Sequence, residues 1–146
     1  MLEPENVLIS VEGRHTVRML NGEKTVELRR RPVRIGPRTR VWIYSKIPRG
    51  YLEALAIVDN VVEACPRQIW EDFGDRTGIS RSEFEAYFSG LDYGYAILFH
   101  QIIGLNPLIS LTDIRQRICG FQPPQFFKRL SAGSAELAFF RSALLG

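Results

Sequence analysis

The sequence holds little of what covalent or metal chemistry usually requires. Its 146 residues include two cysteines and two histidines. Cys65 and Cys119 form no CxxC pair and sit in apolar surroundings, so they read as buried free thiols suited to a reducing cytoplasm. His15 and His100 stand far apart in the chain, which gives no zinc-ligand spacing. There is no GxxxxGK followed by Ser or Thr, no GxSxG and no HExxH. Phosphate-loop, serine-hydrolase and zinc-protease readings therefore lack support. No apolar run approaches the ~20 residues of a membrane span, and the acidic flanks of MLEPENVLISVEG are unlike a signal peptide. Internal repeats and biased tracts are also missing. With 45% hydrophobic and 24% charged residues, the chain has the composition of a soluble globular protein. Its length suits one domain around one core, and no residue pattern asks for a cofactor.

What the sequence does have is a concentration of positive charge. Residues 23–49 carry nine basic residues, Lys24, Arg29, Arg30, Arg31, Arg34, Arg38, Arg40, Lys46 and Arg49, against Glu23 and Glu27 alone. Elsewhere acidic residues outnumber basic ones, so the net charge of +3 hides a local field. Such a field points to an anionic partner.

Local patterning gives an α+β chain. NVLISV (6–11) reads as a strand, and RHTVRMLNG (14–22) as a helix that buries Val17 and Leu20 and ends at Gly22. KTVELRR (24–30) alternates, with Val26 and Leu28 on one face and Thr25, Glu27 and Arg29 on the other. RPVRIGPR (31–38) is turn-rich. TRVWIYS (39–45) is strand-like, Val41 and Ile43 facing one way and Trp42 and Tyr44 the other. YLEALAIVDNVVEA (51–64) is open to helix or strand, its β-branched run favouring strand. PRQIWEDFG (66–74) carries helix punctuation at Pro66 and Gly74. SRSEFEAYFSG (80–90) is a helix with Ser80 and Glu83 as a capping box and Phe84, Tyr87 and Phe88 on one face. YGYAILFHQII (93–103) returns to a strand, and SLTDIRQRI (110–118) is a helix capped by Ser110. GFQPPQFFKRL (120–130) is extended at its prolines and can turn helical after them. SAELAFFRSALL (134–145) is a last amphipathic helix. The simplest closed arrangement is a small mixed β-barrel, residues 1–131, with helices covering its ends. Residues 132–146 then form a helix packed on that domain or on a partner.

Two constellations carry chemistry. Lys24, Thr25, Glu27 and Arg29 can hold a substrate, or supply a nucleophile or base with a cationic partner, or simply form a solvated strand face. Lys24 and Glu27 are three apart and face opposite sides of a straight strand, so they converge only if Lys24 lies in the turn leaving the helix. Arg29, Arg30 and Arg31, backed by Arg34, Arg38 and Arg40, suit phosphate contact. Trp42, Tyr44 and Tyr51 follow closely, as in single-stranded nucleic-acid binders, although such aromatics also serve as core. The acidic run Glu63, Glu71, Asp72 and Asp75 reads as a solvated face.

At LNGEKTVELRRRPVRI and TRVWIYSK the sequence resembles the ASCH group of the PUA-like superfamily, with Gly22, Lys24, Glu27 and Arg29 in its G-x-K-x-x-E-x-R pattern. PRQIWEDFGDRTGISRSEFEAYFSG and GFQPPQFFKRLS resemble the helical insert and closing segment of one bacterial and archaeal subgroup. The resemblance spans residues 5–131. It implies a small β-barrel with a basic cleft that binds RNA or a modified nucleotide, DNA being a further option. Some members act on RNA, and some hydrolyse acetylcytidine with a Lys, a Thr three residues on and a distant Glu. Here Glu27 stands where that Thr would be, and Glu63 is the positional candidate for the distant Glu.

The resulting expectation is a cytoplasmic nucleic-acid or modified-nucleotide binding domain. Its cleft would be floored by Lys24, Glu27 and Arg29 and flanked by Tyr44, Ser45 and Lys46, with Arg30, Arg31 and Arg34 on phosphates. The alternatives are a metal-independent hydrolase or nuclease using Lys24 with Thr25 or Glu27, and a regulatory module whose tail helix docks to a partner.

Overall fold

A computed structural model describes residues 3–145. Six strands form one sheet in the order β2-β5-β4-β3-β1-β6. In chain order the elements are β1 (Asn6–Val11), α1 (Gly13–Leu20), β2 (Val26–Arg29), β3 (Arg40–Ser45), β4 (Tyr51–Ala64), α2 (Pro66–Phe73), α3 (Arg81–Phe88), β5 (Gly94–Ser110), α4 (Leu111–Arg117), β6 (Phe127–Leu130) and α5 (Ala135–Leu145). The β1–β3 pair is parallel and every other pair is antiparallel.

The sheet curls into a half-barrel, and the period-two alternation of its strands explains the layers. Val7, Ile9, Val41, Ile43, Ala54, Ala56, Ile97 and Phe99 fill the concave side. The intervening residues face outward under helices. Leu8, Trp42, Tyr44, Leu52 and Leu55 pack with Leu111, Ile114, Leu137 and Phe140 of α4 and α5. Val26, Leu28, Ala96 and Leu98 pack with Ile69, Phe84 and Phe88 of α2 and α3. Where α3 meets β5 the approach is close enough to require glycine: a Cβ on Gly94 would lie 2.4 Å from the Phe88 ring. Strands buried on both faces read as continuous apolar runs, which is why NVLISV and RVWIYS were legible.

Several expectations need correction. Segment 51–64 is the strand that its β-branched run favoured, but its partner β5 runs on to Ser110 instead of stopping near 103, because the two strands pair at both ends, Ala64 with Gly94 and Tyr51 with Ser110, across register shifts. After the two prolines the chain forms β6, not a helix, since it completes the free edge of β1. Helix α1 buries Thr16 and Met19, while Val17 and Leu20 remain 50% and 42% exposed. Its phase is set by docking at one end of the half-barrel, where the Ser45 hydroxyl donates to Thr16 Oγ1 at 2.7 Å. Both cysteines are free but exposed, each lying just outside a packed helix. No helix among the described residues is long and apolar enough to cross a membrane.

Candidate nucleic-acid interface

The two edge strands, β2 and β6, come to opposite sides of the open seam of the half-barrel. Arg29, the last residue of β2, spans it. Its Nη1 donates to the carbonyl of Phe126 at 3.3 Å, and its Nη2 to the carbonyl of Ser10 at 3.4 Å. Those carbonyls belong to the segment entering β6 and to the part of β1 that β6 does not cover. The same guanidinium meets Glu27 Oε2 at 2.8 Å, as two residues sharing one strand face can.

Lys24 reaches this group from the turn leaving α1. Gly22 adopts φ 88°, a left-handed conformation that reverses the chain after the helix. The Lys24 amide then donates to the Arg18 carbonyl at 3.0 Å, which turns its side chain toward Glu27. The ammonium stands 3.6 Å from Glu27 Oε1 and donates to the Thr77 carbonyl at 2.7 Å. Thr77 lies in the segment between α2 and α3, so Lys24 ties the helical insert to the barrel. The neighbouring Gly78 turn presses on it, for a Cβ there would lie 2.9 Å from Lys24 Cβ. Arg18 adds a donor to the Gly78 carbonyl.

Lys24 and Glu27 are only 2% and 6% exposed. Burial pushes the Glu27 carboxyl up, but Arg29, Lys24 and His15 together outweigh it and hold its pKa below the usual glutamate value. Glu27 is therefore ionised at neutral pH. Lys24 is shifted down, chiefly by burial, with attraction to Glu27 limiting the shift. Burial and the Lys24 charge also lower the pKa of His15, which favours a neutral imidazole at pH 7.

Two adjoining chambers follow the seam, sharing Arg29, Lys46 and Tyr87 in their walls. The larger one, of about 690 Å³, has an apolar floor (Val7, Ile9, Val41, Ile97) with Arg30, Arg31, Gln125 and Phe126 at its rim. The smaller one, of about 410 Å³, gathers the charged or titratable side chains of His15, Lys24, Glu27, Arg14 and Glu83 beside Val11, Leu28 and Ile79. Arg14 and Glu83 form a two-point ion pair there, at 2.9 and 2.5 Å. Arg31 lies 4.2 Å from the Phe126 ring centroid, which places cation and aromatic face together at the rim. The Tyr87 hydroxyl donates to the Leu28 carbonyl at 3.1 Å, fixing its ring against the seam.

Of the residues singled out in the sequence, Lys24, Glu27, Arg29, Arg30, Arg31 and Lys46 meet at these chambers. The others do not. Tyr44 is buried on the outward face beside Trp42, where its hydroxyl has no partner, and Ser45 bonds Thr16 under α1. Strand alternation places Tyr44 there, because its neighbours Ile43 and Val41 take the concave side. The Thr25 hydroxyl accepts from Arg76 Nε at 2.9 Å and lines neither chamber. Arg34 is exposed beyond the rim, its carbonyl accepting from Arg129. Arg49 is held by buried Glu53 at 2.5 and 2.7 Å. Glu63 is exposed on β4, accepts from Tyr95 at 3.3 Å and lines neither chamber, so it does not join Lys24 and Glu27 there. Among the described residues no cluster of three or more His, Cys, Asp or Glu side chains could hold a metal.

The sequence reading missed Tyr87, Phe126, Gln125 and His15. Tyr87 was assigned to the apolar face of α3, but it sits at the edge of that face, 38% exposed. Phe126 follows the two prolines, and their extended backbone was the signal that its side chain could stay out of the core.

No family model matches the sequence. A curated relative, the ASCH domain-containing ribonuclease of Zymomonas mobilis subsp. mobilis, is 27% identical over 121 residues, covering 83% of this chain and 81% of that protein. The crystal structure of ASCH from Zymomonas mobilis superimposes with a TM-score of 0.87 at 26% identity, over 94% of each chain. A serine-to-alanine mutant of that protein gives 0.87 at 25% identity, over 97% of this chain and 98% of the other. A tyrosine-to-phenylalanine mutant gives the same score and identity over 94% and 96%. With near-complete coverage by both sequence and structure, and the Gly22, Lys24, Glu27, Arg29 pattern gathered at one seam, the chain shares the fold of the Zymomonas ASCH protein and is similar to it in sequence along nearly its whole length.

Proposed function

We propose that the protein binds single-stranded RNA along the seam and cleaves it. The observation that carries this reading is the Arg29 seam: a guanidinium anchored by two carbonyls and a buried carboxylate, in the shared wall of two adjoining chambers. Arg30, Arg31 and Lys46 extend the positive charge from that wall, and Tyr87 and Phe126 offer faces on which unpaired bases can stack. The larger chamber falls in the ~300–1,000 Å³ range of ligand clefts. Its apolar floor suits a base turned out of a strand, which a duplex does not offer. Cleavage is supported by the ribonuclease name of the Zymomonas relative. Lys24 and Glu27 support the site from behind, since Lys24 is spent on Thr77 and Glu27 on Arg29.

The reading is tested with a labelled single-stranded RNA, its binding followed by anisotropy across a salt series and its integrity on a denaturing gel. Replacing Arg29, Arg30 and Arg31 together by alanine should weaken binding and lower the log–log salt slope by ~0.7 for each phosphate no longer neutralised. Equal slopes for wild type and triple variant would remove the seam from the account. RNA left intact by the wild-type protein would remove cleavage and leave binding.

A further inference from the structure

The seam has one histidine, and its setting differs from that of an ordinary surface imidazole. His15 lies in the first turn of α1, half-buried, in the wall of the smaller chamber. Its Nδ1 is buried without a hydrogen-bond partner. No protein group thus fixes the tautomer, and the lone pair can stand at Nε2. Arg29 and Lys46 line the same chamber, so an imidazole and two cations converge on a space open to the rest of the seam. His100, by contrast, is exposed on β5 and lines neither chamber.

We propose that His15 is the general base of RNA cleavage, an inference that rests on the RNA-cleaving reading above. RNA carries its own nucleophile, the ribose 2′-hydroxyl, so the protein needs to supply only a proton acceptor and charge stabilisation. His15 takes the 2′-hydroxyl proton, and the 2′-oxygen attacks the adjacent phosphorus. The P–O5′ bond breaks, and the departing 5′-oxygen takes a proton from water. Arg29 and Lys46 face the negative charge that builds on the phosphoryl oxygens. The products are a 2′,3′-cyclic phosphate and a 5′-hydroxyl end.

The charges around the imidazole fit this role. Glu12, Arg14 and Arg18 come from its own helix and the residue before it, Lys24 and Glu27 from the turn and β2, Lys46 from the end of β3, and Glu83 from α3. Lys24 is the strongest of these influences after burial itself, and both disfavour the imidazolium. The base form is thereby available at neutral pH, and the rate should rise with pH through a value below the usual histidine pKa and then level off.

The experiment uses the intact protein, a single-stranded RNA and the same strand with 2′-deoxyribose at the cut position. Wild type should cut the first, leave the deoxy strand intact and yield cyclic-phosphate ends by mass spectrometry. His15→Gln should bind the RNA within about 3-fold of wild type, cut it ~10²–10⁴-fold more slowly and lose the acidic limb of the pH profile. His15→Asn provides a second variant if His15→Gln fails to fold. An acidic limb that persists in a folded His15 variant, cutting at wild-type rate, or 5′-phosphate ends from the wild type would each overturn the role of His15 while leaving an RNA-cleaving protein. A wild type that binds RNA without cutting it would remove the cleavage reading and this inference together.

Discussion

Glu27 and Lys24 form an asymmetric pair, and the asymmetry can be measured as stability. Glu27 has two cations, Arg29 at 2.8 Å and Lys24 at 3.6 Å, whereas Lys24 has one anion and one carbonyl. In Glu27→Gln the Lys24 ammonium stays buried without its counter-charge. Removing one partner of a buried ion pair costs ~3–5 kcal/mol, and the partial exposure of Arg29 places this case at the lower end, about 3 kcal/mol. In Lys24→Met the carboxylate keeps Arg29, so the cost should be roughly half as large. The double variant removes both buried charges and should recover much of the loss, because a neutral pair of similar volume carries no desolvation penalty. Urea denaturation of the four proteins gives the cycle, and a melting temperature ~6–12 °C lower for Glu27→Gln is its thermal counterpart. The pH dependence has a defined sign. The folded-state pKa of Glu27 lies below its ordinary value of 4.5, so its contribution is complete above that pH and is lost as the pH falls through the lowered value. Lys24 is depressed from 10.5, so stability gains as pH rises toward that value. Costs that add in the double variant, or a Glu27→Gln no more damaging than Lys24→Met, would refute the pairing described here.

Other expectations are more local. Tyr44→Phe should leave RNA binding unchanged and stability within about 0.5 kcal/mol, because the deleted hydroxyl is buried without a partner; a loss of RNA affinity in titrations would return Tyr44 to the site. Tyr87→Leu and Phe126→Leu should each weaken single-stranded RNA binding by ~1–3 kcal/mol per stacked base, read by anisotropy, and unaltered affinity in both would exclude base stacking at the rim. Cys65 and Cys119 should both react with a thiol reagent in the folded protein, since both are exposed and free; protection of either until denaturant is added would contradict their placement. Ser80→Ala should cost about 1 kcal/mol through loss of the bond that Ser80 Oγ accepts from the Glu83 amide at 3.2 Å, measured by urea unfolding.

Much of the site was legible because its key residues are close in sequence. Gly22, Lys24, Glu27 and Arg29 lie within eight residues, and the condition for their convergence, Lys24 in the turn rather than on the strand, follows from strand geometry alone. The assignment of Tyr44 to the cleft erred despite a correct alternation, since alternation separates two faces without saying which one is concave. Val17 and Leu20 show the same limit on a helix: both are apolar, yet the face that docks is chosen by the barrel end it meets. His15 and Phe126 were invisible for a different reason. They reach the seam from α1 and from the approach to β6, more than a hundred residues apart, and no local pattern links them.

Periodicity, turn chemistry and charge act over a few residues. They were enough to set the α+β class, most element positions, the local excess of positive charge and Lys24, Glu27 and Arg29 as one candidate group. Which basic side chains share a cavity, and which are neutralised elsewhere like Arg49 with Glu53, emerged with the packed fold alone. So did the opening of the sheet between β2 and β6, where Arg29 bridges the gap. That opening depends on strand order and curl, and so on pairings between residues far apart in the chain, whose energies no short stretch of sequence contains.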